Sequence, residues 1–300
     1  MTEPLRSRVG ISVPATSANL GPGFDSFGLA LDIRDAYVAE VVETPGVAVV
    51  SSGVDSEGLP RDDSHLVARS MMLGCERLQL DVPGLRITCR NAIPQSRGMG
   101  SSAAAIAGGV ALAYALAGDI ADYAGEILQL AAEIEGHPDN VAPAVLGGFT
   151  IAWTQTDGSA RAISQPVAAD VAAVLFVPAA TSPTAAARAA LPAEVPLVDA
   201  VHNSARSALL TVALTSRPEL LFDATADRLH QEQRRSGYPA AMELVDTLRS
   251  QGIAAVVSGA GPTVLALGSQ ESLAHLAAES YSGFSAQPVS FGPGLRLLAE

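Results

Sequence analysis

The chain contains no lysine: all 18 of its basic residues are arginine. That absence excludes a P-loop of the G-x-x-x-x-G-K-[ST] type, whose Lys reaches the β- and γ-phosphates. It excludes Schiff-base and pyridoxal-phosphate chemistry, which needs a Lys amine. It also excludes a eukaryotic-type protein kinase, which needs a strand Lys. A GC-rich genome accounts for an Arg-only, Ala-rich chain, so the absence removes options and assigns no role. Aromatics make up only 4% of the residues, which leaves no evident platform for stacking nucleic-acid bases. Two cysteines, Cys75 and Cys89, make neither a disulfide framework nor a metal set and suit a reducing compartment. The longest apolar run, Ser102 to Gly118, is short of the ~20 residues of a membrane span and reads as a buried helix. The first residues, MTEPLRSRVGISV, hold no apolar stretch of secretory-signal length, so a cytoplasmic location is expected.

What is present is acidic and apolar. With 31 acidic residues the net charge is −13, which opposes binding to nucleic acid or an acidic membrane. A small anion remains bindable where arginines and helix N-termini are focused. Hydrophobic content of 48% and charged content of 16% describe a well-buried globular chain. Three hundred residues suit one large domain or two small ones sharing a core.

Residues 8–13, 35–42, 47–51, 85–92, 149–155, 171–177, 253–258, 263–267 and 287–291 read as strands. Helices are expected from a Ser64 cap to about Leu78, over 101–117, 123–135, 183–190, 197–215 and 239–249, and after a Ser269 cap. The segment 14–31 is too rich in Gly, Asn and Ser to look regular throughout. The elements mix without a strict βαβ rhythm, so an α+β fold is expected. The weakest junction lies near 155–164, which divides the chain into domains 1–157 and 158–300.

Four segments carry candidate chemistry. In Pro94-Gln95-Ser96-Arg97-Gly98-Met99-Gly100-Ser101-Ser102-Ala103-Ala104, a strand ends, a glycine loop turns and an Ala-rich helix begins. Gly98 and Gly100 let the backbone approach a ligand, and the helix start offers free N–H groups to an anion. Ser101 and Ser102 add hydroxyls, and Arg97 can supply the charge that a P-loop takes from Lys. A plain Ser-capped helix explains the same letters. So does a dinucleotide-binding turn, because Gly98, Gly100 and Ala103 match G-x-G-x-x-A with Asp119 downstream. The segment 14–25 holds Thr16, Ser17, Asn19 and Asp25, which suit a zwitterion or a hydroxyl and equally suit a capped turn. Val257-Ser-Gly-Ala-Gly-Pro-Thr263 is a second glycine loop. Glu135-Gly-His-Pro-Asp-Asn140 packs two carboxylates, an imidazole and an amide together, with Glu135 suited to Mg²⁺.

Together the segments VPATSANLGPGFDSFGLAL (13–31), PQSRGMGSSAAA (94–105), EGHPDNVAPAVLGG (135–148) and VSGAGPTVLAL (257–267) resemble the GHMP kinase superfamily, and within it the homoserine kinase family. The resemblance covers nearly the whole chain, and its only departure is Met99 where Leu is usual. It implies a ribosomal-protein-S5-like N-terminal domain and a ferredoxin-like C-terminal domain. It implies ATP in the 94–104 loop, Mg²⁺ on Ser102 and Glu135, and transfer of the γ-phosphoryl to L-homoserine for threonine biosynthesis. Asn19, Asp25, Asn140, Thr184, Arg188 and Arg234 match the family's homoserine site, with Asp25 toward the ammonium and the two arginines toward the carboxylate. Arg235 is the rival of Arg234. Asn140 and Arg97 are the expected catalytic groups, orienting the hydroxyl and neutralising charge without a strong side-chain base. His137 and Asp139 are the groups that would overturn that view. A homodimer is what the resemblance implies for assembly. Another GHMP small-molecule kinase, or a silent binding protein of the same fold, are the alternatives.

Overall fold

The structure is a computed structural model that describes residues 6–181 and 184–299, without the side chains of 184–186. Eleven strands and nine α-helices are assigned among these residues. The first half contains β1 (Arg8–Ala18), β2 (Phe27–Val41), β3 (Gly46–Gly53), α1 (Leu66–Arg77), β4 (Gly84–Asn91), α2 (Ser101–Ala117), α3 (Ala124–Glu135), α4 (Val141–Leu146), β5 (Phe149–Thr154) and β6 (Ala160–Gln165). Then follow β7 (Ala172–Pro178), α5 (Thr184–Ala189), α6 (Leu197–Thr215), α7 (Leu221–Ala224), α8 (Pro239–Ser250), β8 (Ala254–Val257), β9 (Val264–Gly268), α9 (Gln270–Leu273), β10 (Phe284–Val289) and β11 (Arg296–Leu297).

Two sheets result. A seven-stranded sheet runs β11-β1-β2-β4-β3, with the β5–β6 hairpin attached to β2. A four-stranded antiparallel sheet runs β10-β7-β9-β8. This is the expected α+β architecture. The junction at Asp157–Gly158 is the turn of the β5–β6 hairpin, so β6 stays in the first sheet and the second begins at β7. β11 returns to pair with β1, so the chain ends on the sheet where it starts.

One continuous core joins both sheets, from Leu20 and Leu29 to Val256 and Leu265. A second cluster packs α8 on the outer face of the small sheet, through Met242, Val245 and Leu248 against Phe176 and Val257. Helix α2 is buried from Ala103 to Leu116, apart from half-buried Ala105. Its small residues let its neighbours come close. A Cβ on Gly109 would lie 2.8 Å from Cβ of Ser70 in α1, and one on Gly74 of α1 would lie 2.6 Å from Cβ of Ala113. Residue choice here serves packing, which needs close complementarity at interior density. Among the described residues, no helix is long and apolar enough to cross a membrane. Both cysteines are buried and free, and burial pushes their thiols up to about 11 for Cys75 and about 12 for Cys89.

Three sequence expectations shift. The segment 14–31 is largely strand: β1 continues to Ala18 and β2 starts at Phe27, because the small polar side chains of Thr16 and Ser17 fit a buried strand. Helix α1 is capped by His65, whose Nδ1 accepts from the Val67 N–H at 3.2 Å, while the Ser64 hydroxyl donates to Asp62. Pro143 sits inside α4 and not in a closing loop, near enough to the helix start that its missing N–H breaks no bond.

Candidate active site

The three glycine-rich loops meet and bond to one another. Thr16 N–H donates to Met99 O at 3.0 Å, and the Ser258 hydroxyl donates to Gly98 O at 2.6 Å. Thr263 N–H donates to Arg97 O at 3.2 Å. Asn19 Nδ2 donates to Gly259 O at 2.9 Å, and Asn19 Oδ1 accepts from the Asp25 N–H at 2.9 Å. Gly100 sits at φ 67°, immediately before α2, and a Cβ there would run into Thr16 Oγ1 and lie 3.1 Å from Asn140 Oδ1. Only glycine places the start of α2 this close to both residues.

Around this junction lies a cleft of about 380 Å³. Its lining includes Gln95, Ser96, Gly98, Met99, Gly100, Ser101 and Ser102 from the phosphate-type loop. Ala103 and Ala104 are fully buried behind it, and the Ala104 N–H is already bonded to Gly100 O. No side chain caps α2, so its first N–H groups face the cleft with the positive end of the helix. The Ser102 hydroxyl does not cap the helix. It donates to both carboxylate oxygens of Glu135, at 2.7 and 2.6 Å. This contact argues against a plain capped helix. The dinucleotide reading fails as well, because α2 runs unbroken to Ala117 and Asp119 caps the short turn that follows it.

Asn140 starts α4 beside the same helix end, and its Oδ1 accepts from Thr16 Oγ1 at 2.8 Å. Its Nδ2 reaches only Asp139 Oδ1, at 3.5 Å, and so stays open to a ligand. Asp139 is buried and accepts from the Asn140 N–H at 2.8 Å; His137 Nδ1 lies 2.7 Å from the same oxygen. That hydrogen bond raises the His137 pKa, against burial that lowers it.

The far wall carries Asp25, Arg188 and Arg234. Arg188 and Asp25 form a two-bond ion pair, 3.0 Å at each contact. Arg234 is buried. Its Nε donates to Ala187 O at 2.8 Å, Nη1 lies 3.3 Å from His230 Nδ1, and the guanidinium is 5.2 Å from the Phe24 ring centre. His230 Nε2 lies 2.8 Å from the Gly21 carbonyl oxygen, which makes Nε2 the protonated nitrogen and leaves Nδ1 to accept from Arg234. Among the described residues no carboxylate pairs with Arg234, and burial lowers its pKa. Arg235 is turned outward onto Glu232 and Asp246. Thr184 begins α5, and its side chain lies outside the described residues.

Arg97 is the expectation that the geometry redirects. It does not line the cleft. Its guanidinium is held by Asp55 Oδ2 at 2.7 Å and by the carbonyls of Gln95, Pro178 and Ala179 at 3.0, 3.0 and 3.3 Å. Pro94 leads into the loop, and Gln95 is tied to Asp55 through its N–H at 2.9 Å.

Both halves of the chain match family models: "GHMP kinases N terminal domain" over residues 65–148 and "GHMP kinases C terminal" over 206–284. A homoserine kinase of Streptomyces avermitilis is 49% identical, aligned over 94% of this chain and 92% of its own. One from Cutibacterium acnes is 47% identical, over 96% and 98%. The chain belongs to the homoserine kinase family. The crystal structure of a homoserine kinase from Cytophaga hutchinsonii superposes with a TM-score of 0.84 at 25% identity, covering 99% of both chains. A mevalonate diphosphate decarboxylase from Enterococcus faecalis, at 15% identity and a TM-score of 0.62, shares the fold.

Within the family frame, one end of the cleft is new relative to the sequence motifs. Leu59, Pro60, Leu66 and Ile93 line it beside Tyr37 and Asn91. Asp35 sits at its base, accepting from Tyr37 OH at 2.7 Å and from the Ala92 and Ile93 N–H groups, and burial raises its pKa. No turn signal or glycine pattern marks these residues. They become neighbours only when β2, β4 and the start of α1 assemble.

Proposed function

We propose that this chain transfers the γ-phosphoryl of ATP to the side-chain hydroxyl of L-homoserine, giving O-phospho-L-homoserine and ADP. The observation that carries the reading is the far wall of the cleft. A buried guanidinium without a carboxylate, Arg234, stands beside a matched charge pair, Asp25–Arg188. An α-amino acid supplies the complement: a carboxylate for the planar forks of Arg234 and Arg188, and an ammonium for Asp25. A sugar or a simple alcohol would leave the Arg234 charge buried and unpaired, which is costly.

ATP would lie along residues 94–104, its phosphates on the N–H groups of Gly98 to Ser102 and its base against Leu59, Pro60 and Ile93. The Ser102 hydroxyl and the Glu135 carboxylate form a pair of hard oxygen donors at the helix start, and they fit Mg²⁺. Among the described residues no cluster of three or more metal-ligating side chains exists. Mg²⁺ keeps water and phosphate oxygens as ligands, so two protein donors suffice. When bound, the metal would neutralise charge on the β- and γ-phosphates.

In the transfer, a bond forms between the homoserine oxygen and the γ-phosphorus as the bond to the β–γ bridging oxygen breaks. The open Nδ2 of Asn140 holds the attacking oxygen in line. The hydroxyl proton leaves to a phosphate oxygen or to water. Loop N–H groups and the α2 dipole stabilise the charge on the phosphoryl oxygens. Arg97 takes no direct part. Threonine biosynthesis, a cytoplasmic location and a homodimeric assembly belong to the same reading.

A coupled ADP-release assay with homoserine, serine, threonine, mevalonate and galactose tests it. Homoserine is expected to give the highest rate. Faster turnover of mevalonate or galactose would favour a different GHMP kinase.

A further inference from the structure

Arg234 is a buried cation whose immediate partners are rich in electrons but carry no charge. Its Nε donates to the Ala187 carbonyl at 2.8 Å, Nη1 lies 3.3 Å from His230 Nδ1, and the guanidinium sits over the Phe24 ring at 5.2 Å. Among the described residues no carboxylate pairs with it. Asp25 is engaged by Arg188, and Asp227 lies toward the opposite edge of the His230 ring, 3.7 Å from Nε2.

The turn that carries His230 is held on every side. The side chains of Asp227 and His230 are wholly buried. Asp227 Oδ1 accepts from the Leu229 N–H at 3.0 Å and from Asn203 Nδ2 at 2.8 Å. Its Oδ2 accepts from the His230 and Gln231 N–H groups at 3.1 and 2.9 Å. Asn203 Oδ1 accepts in turn from the Arg228 N–H at 2.9 Å. The carboxylate is therefore satisfied within the turn. His230 Nε2 donates instead to the Gly21 carbonyl at 2.8 Å, because Asp227 Oδ2 is beyond hydrogen-bond reach. The Phe24 ring packs against the imidazole, with centroids 5.1 Å apart. A neutral imidazole has one donor and one acceptor, so Nδ1 meets Arg234 as the acceptor. Burial lowers the His230 pKa, and Arg234 adds to it against Asp227, the Gly21 carbonyl and Asp25, so the ring is neutral.

A carboxylate in place of the imidazole would also accept from Nη1. It would neutralise the guanidinium as well, and compete with any anion that arrives from the cleft. The imidazole meets the hydrogen-bond demand of a buried donor and leaves the positive charge whole. We propose that His230 is a positioning residue that orients Arg234 as an uncharged acceptor and so reserves its charge for the substrate carboxylate. His230 thereby helps to select an amino acid over a plain amino alcohol. The proposal rests on the functional reading above, since it takes a carboxylate to dock at Arg234.

Two variants of nearly equal shape separate hydrogen bonding from charge. In His230→Asn the side-chain oxygen takes the place of Nδ1 and still accepts from Arg234. In His230→Asp the same oxygen carries a charge. The test is steady-state kinetics of the full chain with homoserine and with 3-aminopropan-1-ol, which lacks the carboxylate. Where the amino alcohol turns over too slowly, its inhibition constant against homoserine is read instead. His230→Asn should keep the homoserine KM within about 3-fold of the wild type. His230→Asp should raise it about 10-fold or more, the size of one charge-assisted hydrogen bond. The constant for 3-aminopropan-1-ol should differ by less than about 2-fold between the two variants. The ATP KM and the homoserine kcat should stay within about 3-fold, since His230 touches neither the phosphates nor the reacting hydroxyl. The wild type supplies a second measurement where His230→Asp does not fold. Its ¹⁵N NMR spectrum at about pH 7 should show the His230 ring neutral with the proton on Nε2.

Equal homoserine KM values in the two variants overturn the proposal. So does a His230→Asp effect that weakens homoserine and 3-aminopropan-1-ol alike, which is the signature of a distorted cleft. A His230 ring that is charged, or protonated at Nδ1 alone, overturns it as well. Failure of the wild type to phosphorylate homoserine at all overturns the functional reading instead.

Discussion

Arg188 and Asp25, 163 positions apart in the chain, hold each other through two parallel N–H···O bonds of 3.0 Å at the mouth of the acceptor wall. The pair satisfies two charges that the proposed substrate would also satisfy, one by its carboxylate and one by its ammonium. Binding is then an exchange of partners, with little net change in the number of charge-assisted bonds. Removing either residue leaves its partner, and one end of the substrate, unmatched. Arg188→Ala and Asp25→Asn are each expected to raise the homoserine KM roughly 10- to 100-fold, the size of one charge-assisted hydrogen bond. The ATP KM should stay within about 2-fold, since neither residue lies on the phosphate loop. Steady-state kinetics with each substrate varied in turn is the check.

The two adjacent arginines should separate cleanly. Arg234 is buried against Phe24 and His230, whereas Arg235 faces Glu232 and Asp246. Arg235→Ala removes partly exposed ion pairs and should change the homoserine KM by less than about 2-fold. Arg234→Ala should raise it by roughly 50-fold or more, as for a buried charged contact. Equal effects in the two variants would show that the carboxylate is not held at Arg234.

Glu135 and Ser102 are expected to show themselves through magnesium. Glu135→Gln removes the only carboxylate of the proposed site and should raise the Mg²⁺ concentration for half-maximal rate by roughly 10-fold. Ser102→Ala should act in the same direction with a smaller effect. A magnesium titration at fixed ATP reads both, and an unchanged requirement in Glu135→Gln removes that residue from the metal site.

His137 provides a pH signature. Its hydrogen bond to Asp139 raises its pKa in the folded chain. A raised value stabilises the fold fully below the unfolded-state pKa, and the contribution is lost as pH rises through the folded value. Asp139→Asn should therefore destabilise more at about pH 5 than at about pH 9. An NMR titration should place the His137 midpoint above the ordinary histidine value in the wild type and lower in the variant. In turnover, His137→Gln and Asp139→Asn should each lose less than the ~10²-fold expected when a general base is removed.

The local shape of the phosphate-type loop was legible, because the residues that make such a cradle are chosen for local geometry. Gly98 and Gly100 adopt positive φ, and Ser101 starts a helix; such constraints are visible in short stretches of sequence. Arg97 was legible only as a charge in that stretch. Its partners at Pro178 and Ala179 belong to the other sheet, so the direction of its side chain depends on how the two sheets pack. Arg234 and Arg235 share a 3₁₀ turn over 232–237, where each residue rotates about a third of a turn, and neighbours point to different sides. No composition rule decides which one faces inward. The segment 14–31 was misleading for the opposite reason. Its Gly, Asn and Ser letters suit turns, yet Thr16 and Ser17 are wholly buried in β1. The apolar end of the cleft carries no motif, since Leu59, Leu66 and Ile93 are ordinary core letters until three elements bring them together.

The most direct test of the account is a ³¹P NMR spectrum of reactions containing ATP, Mg²⁺ and one of three alcohols. These are homoserine, 3-aminopropan-1-ol, which lacks the carboxylate, and 4-hydroxybutanoate, which lacks the ammonium. A phosphomonoester that accumulates with homoserine, and far more slowly with the other two, is the predicted result. No phosphomonoester from homoserine, or equal rates from all three, would contradict a cleft built around Asp25, Arg188 and Arg234.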